Sequence, residues 1–223
     1  MPITVLDHRL RFPSPQLADA EGLVAIGGDL SVPRLLLAYR SGVFPWTVRP
    51  VTWWSPDPRG IFELDSFHVS RSLARELREG RFQFSINRAF RQVMEGCAAP
   101  APGRRGTWIT PEFLEAYTEL HRLGHAHSLE CWQDERLAGG IYGVAIGGFF
   151  AGESMFHRVS NASKVALYRL IEQLRQRGFV LFDIQMLTPI TAQLGGSAIP
   201  RGDYLKRLAG AVERPCAFRD TPE

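Results

Sequence analysis

Apolar side chains recur every three or four positions in five stretches of the chain, which is the spacing of a helix with one buried face. The first stretch begins after Ser31, a favourable N-cap residue, has Pro33 in its first turn and ends at Gly42. The same signals predict four more helices: one between Ser70 and Gly80, one capped by Asn87, one between Thr110 and Gly124, and one over residues 163–177 that ends at Gly178.

A two-residue period replaces the helical spacing between the fourth and fifth helices, and it is typical of β-strands. It predicts strands over residues 128–133, 137–146 and 149–155, joined by tight turns. A further apolar strand over residues 179–184 follows the last helix. An antiparallel meander followed by a helix and another strand indicates an α+β fold, with a mixed, mainly antiparallel sheet flanked by helices.

The first 60 residues have a different character, because they are rich in Pro, Gly and Trp and contain one clear helix. Prolines at positions 45, 50, 56 and 58 exclude a helix from the segment that follows Gly42. We therefore predict a small N-terminal module at residues 1–60 and a larger domain at residues 61–223.

Composition narrows the class of protein. The 223 residues are 45% hydrophobic and 22% charged, which is ordinary for a globular protein, and no apolar run reaches the roughly 18 residues of a membrane span. Residues 1–10 lack the apolar core of a signal peptide, and the three cysteines form no C-x-x-C pair. We expect a cytoplasmic protein with reduced thiols and no membrane contact. The lack of a heptad pattern favours a monomer.

Basic residues are concentrated on one predicted helix. The net charge is +3, and Arg71, Arg75 and Arg78 follow one another at helical spacing, with Arg81 directly after the helix. The leucines of this helix lie on the opposite face. Such a stripe suits the phosphate backbone of a nucleic acid, although a solvated helix face explains it equally well.

Two acids and an amide end the predicted strands. Glu153 ends a glycine-rich strand, and Asp183 ends the last strand with Gln185 two residues later on the same face. If the two strands are neighbours, the three side chains converge in one pocket, where paired carboxylates raise a pKa or bind a cation. The alternative is a structural ion pair with Arg158 or Lys164.

Four tryptophans lie in segments without helical pattern. Flat rings on loops provide stacking platforms for bases, but tryptophans also join domains by packing between them. The sequence pattern alone leaves both interpretations open for each of these four residues: Trp46, Trp53, Trp54 and Trp108.

Cofactor and metal sites are not expected. The strand–loop–helix order around Arg158 is also that of coenzyme A-dependent N-acetyltransferases, but Asn161 and Ser163 replace the glycines with which those enzymes approach a pyrophosphate. The helix N-terminus would still offer amides to an anion, unless Ser160 or Asn161 only caps the helix. "HRLGH" at residues 121–125 lacks the glutamate of a zinc motif.

The motifs together carry a resemblance to a known family. "GGDLS", "GVFPW", "WWSPDPR", "GTWIT", "LGHAHSLE", "GESMFHRVSNASK", "FDIQ" and "IPRGDYL" resemble those of leucyl/phenylalanyl-tRNA–protein transferases. The resemblance covers residues 22–205. It implies a larger domain similar to the N-acetyltransferase fold and an enzyme that transfers Leu or Phe from aminoacyl-tRNA to proteins with N-terminal Arg or Lys, which marks them for degradation under the N-end rule. The alternatives are a coenzyme A-dependent N-acetyltransferase and a non-catalytic aminoacyl-tRNA-binding module.

The same resemblance implies roles for individual residues. Trp46 and Trp108 would contact the terminal adenosine, Glu153 and Asp183 would meet the acceptor's basic end, and Gln185 would lie nearest the reacting atoms. The pocket for Leu, Phe and, less well, Met would be lined by five apolar residues: Ile141, Phe150, Leu167, Leu170 and Phe182.

One departure from the family's pattern concerns the segment after Gln185. The family usually has His and Ser at the positions that Ile190 and Gln193 occupy in this chain. A direct role for that His cannot operate here.

Overall fold

The computed structural model describes residues 3–100 and 106–219, which contain both strands and helices. The strands are β1 (Thr4–Leu6), β2 (Leu23–Gly27), β3 (Phe44–Val48), β4 (Val51–Trp54), β5 (Arg59–Phe62), β6 (Gln83–Ile86), β7 (Ala126–Gln133), β8 (Arg136–Ile146), β9 (Phe149–His157), β10 (Leu181–Gln185) and β11 (Gly196–Ile199). The helices are α1 (Val32–Arg40), α2 (Arg71–Glu79), α3 (Phe90–Ala98), α4 (Pro111–Arg122), α5 (Ala162–Gln176), α6 (Pro189–Gln193) and α7 (Arg201–Ala211).

The strands form two sheets. The first has the order β1-β2-β4-β3, and the second has the order β11-β5-β10-β9-β8-β7-β6. In the larger sheet, β7, β8 and β9 form the predicted antiparallel meander, and β10 returns parallel to β9 after α5. The prediction of an α+β fold with a mixed, mainly antiparallel sheet is confirmed.

The five predicted helices are present, but the start of α3 differs from the prediction. Asn87 does not cap this helix, which begins at Phe90. Its backbone is left-handed (φ 61°), and its side chain contacts His127 Nδ1 at 3.0 Å and accepts the Ser128 amide at 3.1 Å. The capping assignment is wrong because the Asn87 side chain forms its hydrogen bonds with residues of β7 and not with the amides of α3.

Several short elements were not predicted, and one of them, β5, links the N-terminal region to the larger sheet. The proline-rich segment after α1 forms the antiparallel strands β3 and β4, while β5 enters the larger sheet between β11 and β10. Strands of four residues have too few positions to show a period. Because β5 pairs with β10, Arg59 lies beside the strand that ends at Gln185.

Two apolar clusters fill the interior. One joins the smaller sheet and α1 to α3, α4 and the larger sheet, and includes Trp53 and Tyr117. The other lies between α5 and the larger sheet, with Leu167 and Phe182 among its members. None of the helices in the described part of the chain has the length and apolar content that a membrane crossing needs.

Candidate active site

A cleft opens where β3, the middle of β9, the end of β10 and the segment before α4 meet. Its volume is about 160 Å³. Four residues that the sequence singled out lie on its walls: Trp46, Trp108, Glu153 and Gln185. The remaining lining residues are Phe44, Pro45, Ile184, Met186 and Thr188.

Two parallel neighbours, β9 and β10, bring the acid and the amide together. Glu153 does not end its strand as predicted but lies in the middle of β9, because β9 stays paired with β8 as far as His157. Asp183 is paired with Ala151, so Glu153 and Gln185 both lie just beyond the paired residues. The β5–β10 register shifts between Asp183 and Gln185, where Gln185 has a left-handed backbone (φ 57°). Gly60 faces this irregularity, and a Cβ there would lie 2.7 Å from the Met186 carbonyl carbon. Only glycine leaves room for the chain to turn there.

Glu153 is bound by neutral donors. The Tyr39 hydroxyl donates to its Oε1 at 2.8 Å, the Tyr117 hydroxyl reaches its Oε2 at 3.4 Å, and the two hydroxyls also bond to each other. No described Lys or Arg forms a salt bridge with this carboxylate. Burial raises the pKa of Glu153 to about 8, with a further contribution from the Asp183 charge and opposition from the Tyr39 hydrogen bond.

Asp183 has the opposite environment. Its side chain is 0% exposed and does not line the cleft. The Arg59 guanidinium binds both oxygens, with Nε to Oδ1 at 2.9 Å and Nη2 to Oδ2 at 2.7 Å, and the Tyr204 hydroxyl donates to Oδ2 at 2.9 Å. The carboxylate is therefore in an ion pair, but its partner is Arg59 and not Arg158 or Lys164.

Gln185 is held at two points. Its backbone N–H donates to Asp183 Oδ1 at 2.9 Å, and its side-chain Nε2 donates to Glu153 Oε1 at 3.2 Å. Since the amide nitrogen is used by Glu153, this hydrogen-bond network assigns the carbonyl oxygen of Gln185 as the free acceptor at the cleft.

The tryptophans divide into two groups. Trp46 is 37% exposed and also lines a second cavity of about 420 Å³. Trp108 is half-buried and packs edge-on against Phe113 at 5.1 Å. Trp53 is fully buried, with its Nε1 donating to the Gly27 carbonyl at 2.9 Å, so Trp53 joins elements of the fold.

The five residues expected to form the amino-acid pocket lie together, but not on the cleft. All are buried members of the cluster beneath α5, and none lines the cleft: Ile141, Phe150, Leu167, Leu170 and Phe182. Phe182 lies directly before Asp183, and Phe150 contacts its ring edge-on at 5.6 Å. The side chain of a bound amino acid could enter this cluster only if the five residues moved apart.

The predicted basic stripe lies on the surface of α2. Arg71, Arg75 and Arg78 are exposed, and Arg75 pairs with Glu79 at 3.5 Å. Arg81 is bound to Glu76, which reduces its availability to another anion. The first three arginines are thus the accessible part of the stripe.

The N-terminus of α5 lies beside a carboxylate of the chain itself. Asn161 is its N-cap residue, with φ 65°, but its side chain donates to the Glu76 carboxylate at 3.2 Å instead of capping the helix. The first helical residues, Ala162 and Ser163, are buried. The negative charge of Glu76 disfavours a second anion here, and the anion expected from the sequence stays a prediction.

The histidines of "HRLGHAH" have structural partners. His121 stacks on Phe90 with ring centroids 4.2 Å apart, and His127 stacks on Phe218 at 4.4 Å. Burial lowers the pKa of His127 to about 4. No group of three metal-ligating side chains occurs within the two described ranges.

Sequence reasoning missed the residues that hold the two carboxylates. Tyr39 and Tyr117 occupy inward positions of α1 and α4, where an aromatic residue signals only the core. Arg59 lies 124 residues from Asp183 in a strand too short to show a period, and Tyr204 lies 21 residues away at an inward position of α7. No local pattern in the sequence reveals these partners.

Comparison with known proteins finds relatives over nearly the whole chain. The family model described as "Leucyl/phenylalanyl-tRNA protein transferase" matches residues 61–209, and the model of that family's N-terminal domain matches residues 28–57. A leucyl/phenylalanyl-tRNA–protein transferase from Anaeromyxobacter sp. (strain Fw109-5) is 50% identical over 218 residues, which cover 96% of this chain and 93% of the relative. Another from Shewanella sp. (strain W3-18-1) is 51% identical over 211 residues, which cover 92% and 89%.

Solved structures with a similar fold are more distant. The structure of L-PGS from Bacillus licheniformis has a TM-score of 0.42 at 12% identity and is matched over 75% of this chain and 54% of that chain. A GCN5-related N-acetyltransferase from Kribbella flavida has a TM-score of 0.41 at 10% identity, over 73% and 59%. This chain thus spans little more than half of either structure.

Proposed function

Because the chain belongs to the leucyl/phenylalanyl-tRNA protein transferase family of aminoacyltransferases, we propose that it moves Leu or Phe, and less well Met, from aminoacyl-tRNA to the N-terminal Arg or Lys of acceptor proteins. In the cytoplasm this would mark the acceptors for N-end-rule degradation. The observation that carries the proposal is one cleft lined by Glu153, Gln185, Trp46 and Trp108.

The chemistry needs little beyond positioning. The ester of an aminoacyl-tRNA is already activated, and a free α-amino group has a pKa of about 7.7–8.0, so a useful fraction is neutral. The amine attacks the ester carbonyl, the new C–N bond forms as the C–O bond breaks, and the ribose oxygen gains the proton that the amine loses. Holding both reactants in one cleft supplies the main rate enhancement.

Gln185 is the residue placed to receive the amine. Its carbonyl oxygen is the free acceptor at the cleft, so it accepts a hydrogen bond from the attacking amine and directs the nitrogen lone pair to the ester. An amide is too weak a base to remove the proton completely. Its role is therefore to orient the nucleophile.

Glu153 and Asp183 have different parts in this scheme. Glu153 is the one carboxylate among the lining residues of the cleft, and it meets the cationic end of the acceptor. An arriving cation favours the ionised form of Glu153, so binding of the acceptor is coupled to loss of its proton. Asp183, buried against Arg59, holds the backbone of Gln185 and does not contact substrate.

The aromatic walls and the basic helix are assigned to the donor. Trp46 and Trp108 stack on the terminal adenosine, and the apolar residues beneath α5 accept the Leu or Phe side chain when they part. The exposed arginines of α2 bind tRNA phosphates. One copy of the chain carries all these groups, which is consistent with a monomer.

A transfer assay tests the proposal. Labelled Leu-tRNA is incubated with a peptide that begins with Arg, with the same peptide acetylated at its amine, and with a peptide that begins with Ala. We expect transfer to the first peptide only, a strong loss for Gln185→Ala, and full activity for Gln193→Ala, an exposed glutamine of α6 outside the cleft.

Two results would replace the proposal. Acetyl transfer from acetyl-coenzyme A to the Arg peptide, without transfer from Leu-tRNA, would identify an N-acetyltransferase. Tight binding of Leu-tRNA without transfer to any peptide would identify a binding module.

A further inference from the structure

Arg59 bridges the two sheets behind the cleft. It belongs to β5, is 1% exposed, and uses its Nε and Nη2 atoms to bind both oxygens of Asp183 in β10. Its Nη1 donates to the Gly42 carbonyl at 3.1 Å, directly before β3. The guanidinium carbon also lies 4.9 Å from the ring centre of Phe44, a wall of the cleft. One side chain thus contacts both sides of the site without lining it.

Each oxygen of the Asp183 carboxylate accepts two hydrogen bonds from the chain, so none of its acceptor positions is left for a substrate. Besides Arg59, it accepts the Tyr204 hydroxyl and the backbone N–H of Gln185. The second of these bonds holds Gln185 in its left-handed conformation, which a residue with a side chain rarely adopts. If the Asp183 carboxylate moves, this hydrogen bond is lost and the strained backbone of Gln185 is expected to relax.

We propose that Arg59 is a positioning residue for the transfer: by fixing Asp183, it fixes the backbone of Gln185 and so sets the carbonyl oxygen that receives the amine. Tyr204 assists from the other side of the same carboxylate. The inference rests on the proposed function and assigns no substrate contact to Arg59 itself.

The chain provides a matched control for this role. Arg34 is another fully buried arginine, but its guanidinium binds the backbone carbonyls of Asp7 at 2.8 Å and Arg9 at 3.1 Å. It lies in α1 and does not contact Asp183 or Gln185. Replacing either arginine by lysine removes a buried fork of donors, yet only Arg59→Lys alters the support of Gln185.

The test measures kcat and the donor KM with Leu-tRNA and an Arg peptide, at a temperature below the thermal midpoint of every variant. We expect Arg59→Lys to lower kcat by about 10- to 100-fold, as a small displacement of a catalytic group does, with the donor KM changed by less than about threefold. Arg34→Lys should keep the kcat of the unaltered protein even where its Tm falls as much. Tyr204→Phe, which removes one hydroxyl, should lower kcat by about two- to fivefold.

Equal kcat values for Arg59→Lys and Arg34→Lys, or a loss that appears only as a raised donor KM, would overturn the inference. If Arg59→Lys does not fold, the Tyr204→Phe variant decides, and an unchanged kcat there overturns it. Failure of the unaltered protein to transfer Leu would instead refute the proposed function, so the two failures are distinguishable.

Discussion

Two carboxylates on neighbouring strands of one sheet have different partners, and the difference gives the same functional group two different properties. Glu153 lies at the cleft among the hydroxyls of Tyr39 and Tyr117 and the amide of Gln185, and its pKa is raised to about 8. Asp183 lies behind the cleft in an ion pair with Arg59 and is fully buried. In the proposed scheme the first meets a substrate, while the second holds the backbone of Gln185.

The difference between them locates the adaptable part of the site. Neutral donors stabilise a carboxylate less than a guanidinium does, so the charge of Glu153 remains responsive to an arriving cation. Arg59 binds both oxygens of Asp183 and fixes the position of this carboxylate, which therefore serves as a rigid anchor. Gln185 donates hydrogen bonds to both carboxylates, and it therefore connects Glu153, whose charge responds to a substrate, to Asp183, which is fixed.

Replacing Asp183 by Ala should give the largest effect, because it leaves the Arg59 guanidinium buried without a counter-charge. Breaking a buried pair in this way costs about 3–5 kcal/mol, and the free energy of unfolding measured by urea denaturation should fall by that amount. The rate of peptide-bond formation at saturating substrates should fall by about 100-fold because Gln185 loses its support. Affinity for tRNA should be retained.

Glu153→Gln is the matched variant for this comparison. It removes a carboxylate of the same network without leaving a buried charge unpaired, so it should not lower the free energy of unfolding at pH 7 by more than about 1 kcal/mol. The comparison fails if Glu153→Gln destabilises the protein as much as Asp183→Ala does. A loss of tRNA affinity in Asp183→Ala equal to its loss of rate would also contradict the assignment of Asp183.

The pH dependence of stability should distinguish the carboxylates next. The pKa of Glu153 is about 8 in the folded chain and near its ordinary value of 4.5 in the unfolded chain. Between these values the folded state holds a proton that the unfolded state has released, so stability falls as the pH rises from about 4.5 to 8. The slope contributed by one such group is at most about 1.4 kcal/mol per pH unit.

The measurement is the difference between two stability curves. Free energies of unfolding for the unaltered protein and for Glu153→Gln are determined from pH 5 to pH 8, and the difference isolates Glu153 because His125 and His127 contribute to both curves. The fall should be absent from the variant. Parallel curves would mean that Glu153 titrates in the folded protein as it does in the unfolded chain.

The sequence predicted the acids and the amide that come together better than the groups that support them. Glu153, Asp183 and Gln185 were readable as polar residues that interrupt apolar strands, and the convergence required only that β9 and β10 be neighbours. Arg59 was not readable, since its strand has four residues and its partner lies 124 residues away. The left-handed backbone of Gln185 depends on that same tertiary contact and on the space at Gly60, so no local propensity indicates it.

The helices and long strands were predictable for the converse reason. Ser70 and Gly80 define α2 by local capping, and the eleven residues of β8 contain enough positions to show a period. The side chain of Asn87, by contrast, has the chemistry of a cap but bonds to a strand 40 residues away. Local signals fail where a polar side chain has a better partner elsewhere in the fold.

Trp108→Ala should sharpen the comparison from the donor side, because Trp108 contacts neither carboxylate. Loss of a stacked base is worth about 1–3 kcal/mol, so the donor KM should rise by roughly 5- to 150-fold while kcat is retained. Trp132→Ala is the control, since this half-buried tryptophan of β7 lies outside the cleft and bonds to Ser85. An unchanged donor KM for Trp108→Ala would remove Trp108 from the adenosine site.

Charge reversal on α2 should have the smallest effect, and it should act on affinity alone. Each phosphate contact contributes about 0.7–0.9 to the slope of log affinity against log salt concentration, so replacing Arg71, Arg75 and Arg78 by Glu should lower that slope by about two to three for tRNA. The matched control reverses three arginines that are also exposed, changing the net charge equally: Arg122, Arg175 and Arg207. If both triple variants show the slope of the unaltered protein, the stripe on α2 is a solvated helix face. If only the α2 variant loses slope while its kcat at saturating donor is unchanged, tRNA binding by α2 is separable from the chemistry at Glu153 and Asp183.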